Sequence, residues 1–325
     1  MHLSGFVEIK HMRRLLVIIL VLCSPSIVYG SFRDFAKIPV DSELEQRLQV
    51  IARDTLQEPS ASKLTADNLS ITIIDLDAAG GPKQASVNGA QTYHPASVVK
   101  LFFLIAAQER LKEGWLQMSS ELQRGLKDMI VESSNDATSF IVDTVTDTAS
   151  GPELSGRAWR KFETKRNWLN RYFGDRGYDV SVSGKTFCEG PYGRDKQLLG
   201  PNREHRNRIT SMAIAALMDD IVEGRSADPA GTQSMLALMH RDPDASATSG
   251  ENQVKGFGGE GLPAGSEQWS KAGWTSEVRH DAMYVRLPDG HRYIAAILTR
   301  GLEEDNEQVL PSISKRIAAL FSRSN

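Results

Sequence analysis

The stretch HPASVVKLFFLIAAQERLKEG, residues 94–114, sets Ser97 three places before Lys100 at the mouth of a very apolar helix. A helix that only filled a core would carry neither residue there. Positions i and i+3 share a helix face, so the Lys100 amine is placed beside the Ser97 hydroxyl. A serine hydroxyl is a weak nucleophile at neutral pH and needs a base within hydrogen-bond reach. Burial in so apolar a helix disfavours the charged amine, which makes Lys100 a candidate proton acceptor. The unpaired N–H groups and positive dipole end of the helix start favour an oxyanion at Ser97. Alone, the pair is weak evidence, because a helix cap with a solvated lysine reads the same way. Ser-x-x-Lys also occurs at Ser60–Lys63, in a polar linker, and at Ser312–Lys315, in the C-terminal helix. Only Ser97–Lys100 opens an apolar helix that follows two strands.

Outward from this helix the pattern is strands at both ends with helices between. Residues 41–56 carry Leu44, Leu48 and Ile51 at helical spacing behind an Asp41 or Ser42 cap. LSITIIDLD (69–77) reads as a strand, Gly80-Gly81 as a turn, and KQASVNG (83–89) as a second strand. Further helices are expected at about 119–131, about 136–145, 156–177 and 210–224. Residues 181–207 form a long Gly-, Pro- and charge-rich loop, and loops of that length in a compact chain are usually functional or mobile. The end reads as strand (SEQWSKAGWT), a strand–turn–strand around PDG at 288–290, and a terminal helix. The order implies an α+β fold: an antiparallel sheet built from the two chain ends, about 40–95 and 255–325, with an all-helical lobe at about 96–254 inserted. Residues 31–325 are read as one such domain.

Residues 1–30 read as a secretory signal peptide, with Arg13 and Arg14 before an apolar run from Leu15 to Cys23 and a small-residue exit at Val28-Tyr29-Gly30. The run is too short to span a bilayer, Met12 competes with Met1 as the start, and Leu22 is too large for lipid attachment at Cys23. Export to the periplasm or beyond is the expectation. Cleavage removes Lys10, Arg13, Arg14 and Glu8 and takes the formal charge from −3 to −5, a poor match to nucleic acid. With 40% hydrophobic residues the remaining chain can bury a sizeable core. Cys188 is then the sole cysteine, which excludes an internal disulfide. His94, His205, His240, His280 and His291 show no paired ligand spacing, so neither a metal nor another cofactor is expected.

Two later clusters bear on Ser97. ESSND supplies Ser133-x-Asn135 at a helix–helix junction, and SKAGWT supplies Lys271-Ala272-Gly273 on a strand. Each has a dull reading alone: Ser-x-Asn recurs at Ser86–Asn88, and Lys-Ala-Gly suits the polar end of a strand. Together and in this order they match the set Ser-x-x-Lys, Ser-Asp-Asn, Lys-Thr-Gly. On these residues the chain resembles the class A β-lactamase family and, more broadly, the serine β-lactamase and penicillin-binding superfamily, from about residue 40 to the C-terminus.

The resemblance implies a helical lobe set against a five-stranded antiparallel sheet, with the site between them. It implies an acyl-enzyme on Ser97, Lys100 as its proton partner, and Ser133 as proton donor to the departing amide nitrogen. Asn135 would hold the substrate's side-chain amide, and Lys271 would supply positive charge for the substrate carboxylate and the Ser133 hydroxyl. The N–H groups of Ser97 and Trp274 would form the oxyanion hole, and Ala272, Gly273 and Thr275 would line the substrate strand. A register of Ser134 with Asp136 competes at SSND, but Ser133 keeps the asparagine.

Three departures from the family pattern stand out. Ser133 follows Ser97 by only 36 residues, short for the family, while the stretch from Asn135 to Lys271 is long. Ala272 replaces a hydroxyl residue, a loss that Thr275 or Arg279 would have to offset. The Glu-x-x-Leu-Asn pattern that activates the deacylating water is missing. In its loop Asp195 is the first candidate for that base, with Glu189 and Glu204 as rivals; each also reads as a solvated carboxylate among Arg194, Arg203 and Arg206. The expected activity is hydrolysis of the β-lactam cyclic amide through an acyl-enzyme on Ser97, in a monomer acting on a small-molecule β-lactam or cell-wall peptide. The alternatives are a D-alanyl-D-alanine carboxypeptidase or esterase, a non-catalytic cell-wall-peptide binding module, and Cys188 as a cysteine nucleophile with His205.

Overall fold

The computed structural model describes residues 35–187, 190–242, 253–302 and 306–322. The leader segment, Cys188 and Glu189 lie outside the described residues.

Helix α1 (Ser42–Thr55) starts where the Asp41 carboxylate accepts from the Glu43 and Leu44 N–H groups at 3.1 and 3.0 Å. Strands β1 (Leu69–Asp75) and β2 (Lys83–Val87) follow as an antiparallel pair. The chain then enters α2 (Lys100–Lys112) through a 3₁₀ turn, Ala96–Val99. The inserted lobe continues with α3 (Ser120–Ile130), α4 (Asn135–Thr146), α5 (Gly156–Arg166), α6 (Trp168–Gly174), α7 (Gly193–Leu199), α8 (Ser211–Val222) and α9 (Pro229–Met239). The chain returns through β3 (His240–Arg241), β4 (Glu267–Trp274), β5 (Val278–Arg286), β6 (Arg292–Arg300) and α10 (Val309–Phe321).

The fold is α+β, and the sheet has six strands rather than five. Their order is β2-β1-β6-β5-β4-β3, antiparallel throughout, with the chain ends meeting where β1 pairs with β6. The sixth strand, β3, is a two-residue pairing of His240 and Arg241 with Trp269 and Gln268, too short for any alternation to announce it. The expected helix over 156–177 is two helices that meet at Asn167, and the long loop contains α7.

Both sheet faces are covered, so the central strands β1 and β6 are buried on both sides over most of their length. Ile74, Ile294, Ala296 and Leu298 face the inserted lobe, and α8 packs against β1, β5 and β6. The alternate residues Ile71, Ile73, Ala295 and Ile297 face a second core closed by α1 and α10. Helix α2 is buried on every side from Lys100 to Glu109, as expected of a helix with apolar residues all round. A lysine at its first position is therefore held inside the protein, between the lobe and the sheet.

Candidate active site

Ser97 sits in the 3₁₀ turn before α2, whose first N–H groups have no carbonyl partner within the turn. The residue before it, Ala96, has φ +45°, and Ser133 has φ +54°. Left-handed backbone at residues other than glycine costs energy and collects at functional sites. Lys100 is fully buried, and its Nζ lies within hydrogen-bond distance of Ser97 Oγ at 3.0 Å, Ser133 Oγ at 3.1 Å and Asn135 Oδ1 at 3.0 Å, and of the Ser133 carbonyl. Ser133 Oγ also accepts from Lys271 Nζ at 2.9 Å. Ser134 instead caps α4, its Oγ accepting from Ala137 N–H at 3.1 Å. Ser60 and Ser312 of the other two Ser-x-x-Lys pairs both turn to Glu58, far along the chain from Ser97.

The β4 strand explains Lys-Ala-Gly. Lys271 and Gly273 face the Ser97 turn, while the Ala272 methyl is buried in the second core behind the sheet. A Cβ on Gly273 would lie 2.8 Å from both Ser97 N and Val98 N, so only glycine lets the strand approach the turn this closely. The Thr275 N–H is committed to Val278 O on β5. Ladder alternation therefore turns the Trp274 N–H to the opposite edge, the one from which Ala272 N–H donates to Gln253. Trp274 and Thr275 line the cavity with Ser97 and Asn135. Arg279 turns away, its guanidinium bonded to Gly256 O and lying over the Phe257 ring.

Two residues that sequence reasoning missed hold this arrangement. Gln253, buried, accepts from Lys271 Nζ at 2.6 Å and Ala272 N at 3.1 Å, and donates to the Ile130 and Val131 carbonyls. It thereby ties β4 to the segment that carries Ser133. His280 on β5 accepts the Thr299 N–H at its Nδ1, so the proton is on Nε2, which donates to His94 O at 2.8 Å, just before Ser97. Burial lowers its pKa to about 4, which keeps the imidazole neutral. Neither residue belongs to a local pattern, and His280 carried only the negative signal of an isolated histidine.

Residues from 184–187 and from 190–207 line the cavity from the other side. Asp195 lines it but is buried rather than solvated. Its Oδ1 accepts from Arg166 Nη1 at 2.9 Å and its Oδ2 from Ser150 Oγ at 2.7 Å. Fully buried Arg166 also holds Asp143 and Thr148, and Lys185 donates to Asp143 at 2.6 Å and to Ser150 at 2.7 Å. Helix α7 can start here because Gly193, with φ +51°, lies against the Gly151 carbonyl, where a Cβ would be 2.0 Å from the oxygen. Glu204 is exposed and accepts from Asn202 N–H. Among the described residues no three His, Cys, Asp or Glu side chains gather as a metal site.

A family model described as the beta-lactamase enzyme family matches residues 119–321. The chain belongs to that family. Among solved structures, PBP-A aligns with a TM-score of 0.60 at 21% identity, covering 86% of this chain and 96% of that one. A β-lactamase from Sphaerobacter thermophilus aligns at 0.60 and 17%, covering 86% and 99%, and one from Chitinophaga pinensis at 0.61 and 15%, covering 86% and 100%. At these identities the likeness is one of fold. A search of curated proteins finds no match. The β-lactamase fold thus places the Ser97 turn, the Ser133 corner and the β4 strand of this chain around one crevice between sheet and helical lobe.

Proposed function

We propose that the protein is an exported serine hydrolase that opens the cyclic amide of β-lactams through an acyl-enzyme on Ser97. One observation carries this reading: Ser133 Oγ lies 3.1 Å from Lys100 Nζ and 2.9 Å from Lys271 Nζ, while Lys100 Nζ is 3.0 Å from Ser97 Oγ. A proton path then runs from nucleophile to leaving group. Ser97 Oγ attacks the carbonyl carbon as Lys100 takes its proton; burial and the nearby Lys271 ammonium favour the uncharged amine that this requires. The N–H groups of Ser97 and Trp274 hold the oxyanion, each such donor being worth about 10²–10³ in rate. As the C–N bond breaks, Ser133 gives its proton to the nitrogen and recovers one from Lys100. Asn135 holds the substrate's side-chain amide, and Lys271 attracts its carboxylate.

Asp195 is the candidate base for the water that releases the acyl group, since it lines the same cavity. Both of its oxygens already accept a hydrogen bond, and this favours a second reading, a penicillin-binding carboxypeptidase or esterase whose β-lactam adduct persists. A fluorescent penicillin followed over time separates the two. Transient label with nitrocefin turnover supports the hydrolase, and lasting label supports the second reading. Absence of label on the wild type, as on Ser97→Ala, overturns both and leaves a binding module.

A further inference from the structure

The cavity beside Ser97 has a charged wall that ring opening does not use. Its volume is about 170 Å³, below the roughly 300–1,000 Å³ of pockets that take a whole small ligand, so it receives one arm of a substrate. Asn135 lines it, whereas Ser133 and Lys271 on the leaving-group side do not. The arm is therefore the acyl one.

Among the described residues four charged side chains line this cavity, and two are neutralised inside the protein: Lys185 by Asp143 at 2.6 Å, and Asp195 by Arg166 at 2.9 Å. Arg203 and Arg206 remain, with no side-chain ion pair or hydrogen bond among the described residues. The neighbouring carboxylate, Glu204, is turned to the Asn202 N–H. His94 adds no charge: burial first, and then Arg206 and Arg203, lower its pKa to about 4. The described side chains that line the wall are net positive at neutral pH. Two guanidinium groups suit a planar oxyanion better than amines would, because each offers a fork of parallel donors.

We propose that Arg203 and Arg206 form an anion-recognising subsite beside Ser97, selecting substrates whose acyl arm carries a carboxylate in addition to the one common to β-lactams and peptide C-termini. The inference rests on the acylation of Ser97 proposed above.

Carbenicillin and benzylpenicillin differ by one carboxylate on that arm. The test is the second-order rate constant for acylation by each, in the full-length protein and in the Arg203→Gln/Arg206→Gln variant. At low ionic strength the wild type prefers carbenicillin by about tenfold, the scale of two partly exposed ion pairs. The preference falls towards unity in the variant, and in the wild type it shrinks with added salt at about 0.5 M, where exposed charges are screened. A wild-type ratio near unity, a ratio unmoved by salt, or the same ratio in a folded variant overturns the subsite alone. Failure of both penicillins to acylate the wild type overturns the nucleophile assignment and the subsite with it.

Discussion

Replacing Gly273 with alanine puts a methyl group where β4 meets the Ser97 turn. The added Cβ would lie 2.8 Å from Ser97 N and Val98 N, and ordinary contact begins at 3.4 Å, so strand and turn must part by 0.6 Å. Both neighbours are backbone atoms at the entry to a fully buried helix, so no flexible side chain can absorb the shift. The displaced groups are the N–H donors of Ser97 and Trp274. Losing one such donor costs about 10²–10³ in rate, and a shift near 1 Å can cost about 10². We expect acylation by benzylpenicillin to slow roughly tenfold to a hundredfold on these grounds. Overpacking should also cost about 1–3 kcal/mol of stability, read as a lower melting temperature. Gly174→Ala is the control, because a Cβ there meets nothing within 4 Å. Stopped-flow acylation within twofold of wild type, with unchanged melting, would refute the close approach on which the proposed oxyanion hole depends.

Three further outcomes follow from the site. Gln253→Leu removes the four hydrogen bonds that join Lys271 and Ala272 to the Ile130 and Val131 carbonyls. Buried groups left unmet cost roughly 1–3 kcal/mol each, so melting temperature and acylation rate should fall together, and an unchanged melt contradicts the role. Asp195→Asn should slow the loss of penicillin label more than its gain; equal effects on both steps count against a deacylation role. Asp281, fully buried on β5, is pushed by burial from its ordinary value of 3.8 up to about 7, against opposing pulls from the Gly258 N–H, Lys271 and Arg241. The folded protein thus keeps a proton that the unfolded chain has released, and this contribution to stability is lost as pH rises from about 4 to about 7. In urea titrations Asp281→Asn should gain on wild type across that window, and a pH-independent difference would refute the assignment.

The parts of the site legible in the sequence were those encoded locally. Ser97 and Lys100 are one helical turn apart, and Ser133 and Asn135 stand at a single junction, so spacing alone links them. The antiparallel sheet was legible because β1 and β6 are largely apolar runs and the PDG turn joins β6 to β5 before it. The bonds that assemble the site cross long stretches of chain and leave no periodic trace. Gln253 reaches back to Ile130 and Val131, His280 to His94, and Arg166 forward to Asp195, which had read as a solvated carboxylate. Helix α9 did have a start signal in Asp228-Pro229, with the Asp228 carboxylate capping Gly231 N–H at 2.7 Å, but Gly231 and Thr232 in its first turn obscured it. Strand β3 has only its pairing with β4 to define it.

Acylation at Ser97 Oγ is the step on which every role proposed for the site depends. Peptide mapping by mass spectrometry after brief exposure to benzylpenicillin tests this directly. A single penicilloyl group on the peptide that contains Ser97, absent in Ser97→Ala, is the predicted result. An adduct on Ser133 or Cys188, or one that survives Ser97→Ala, would contradict it.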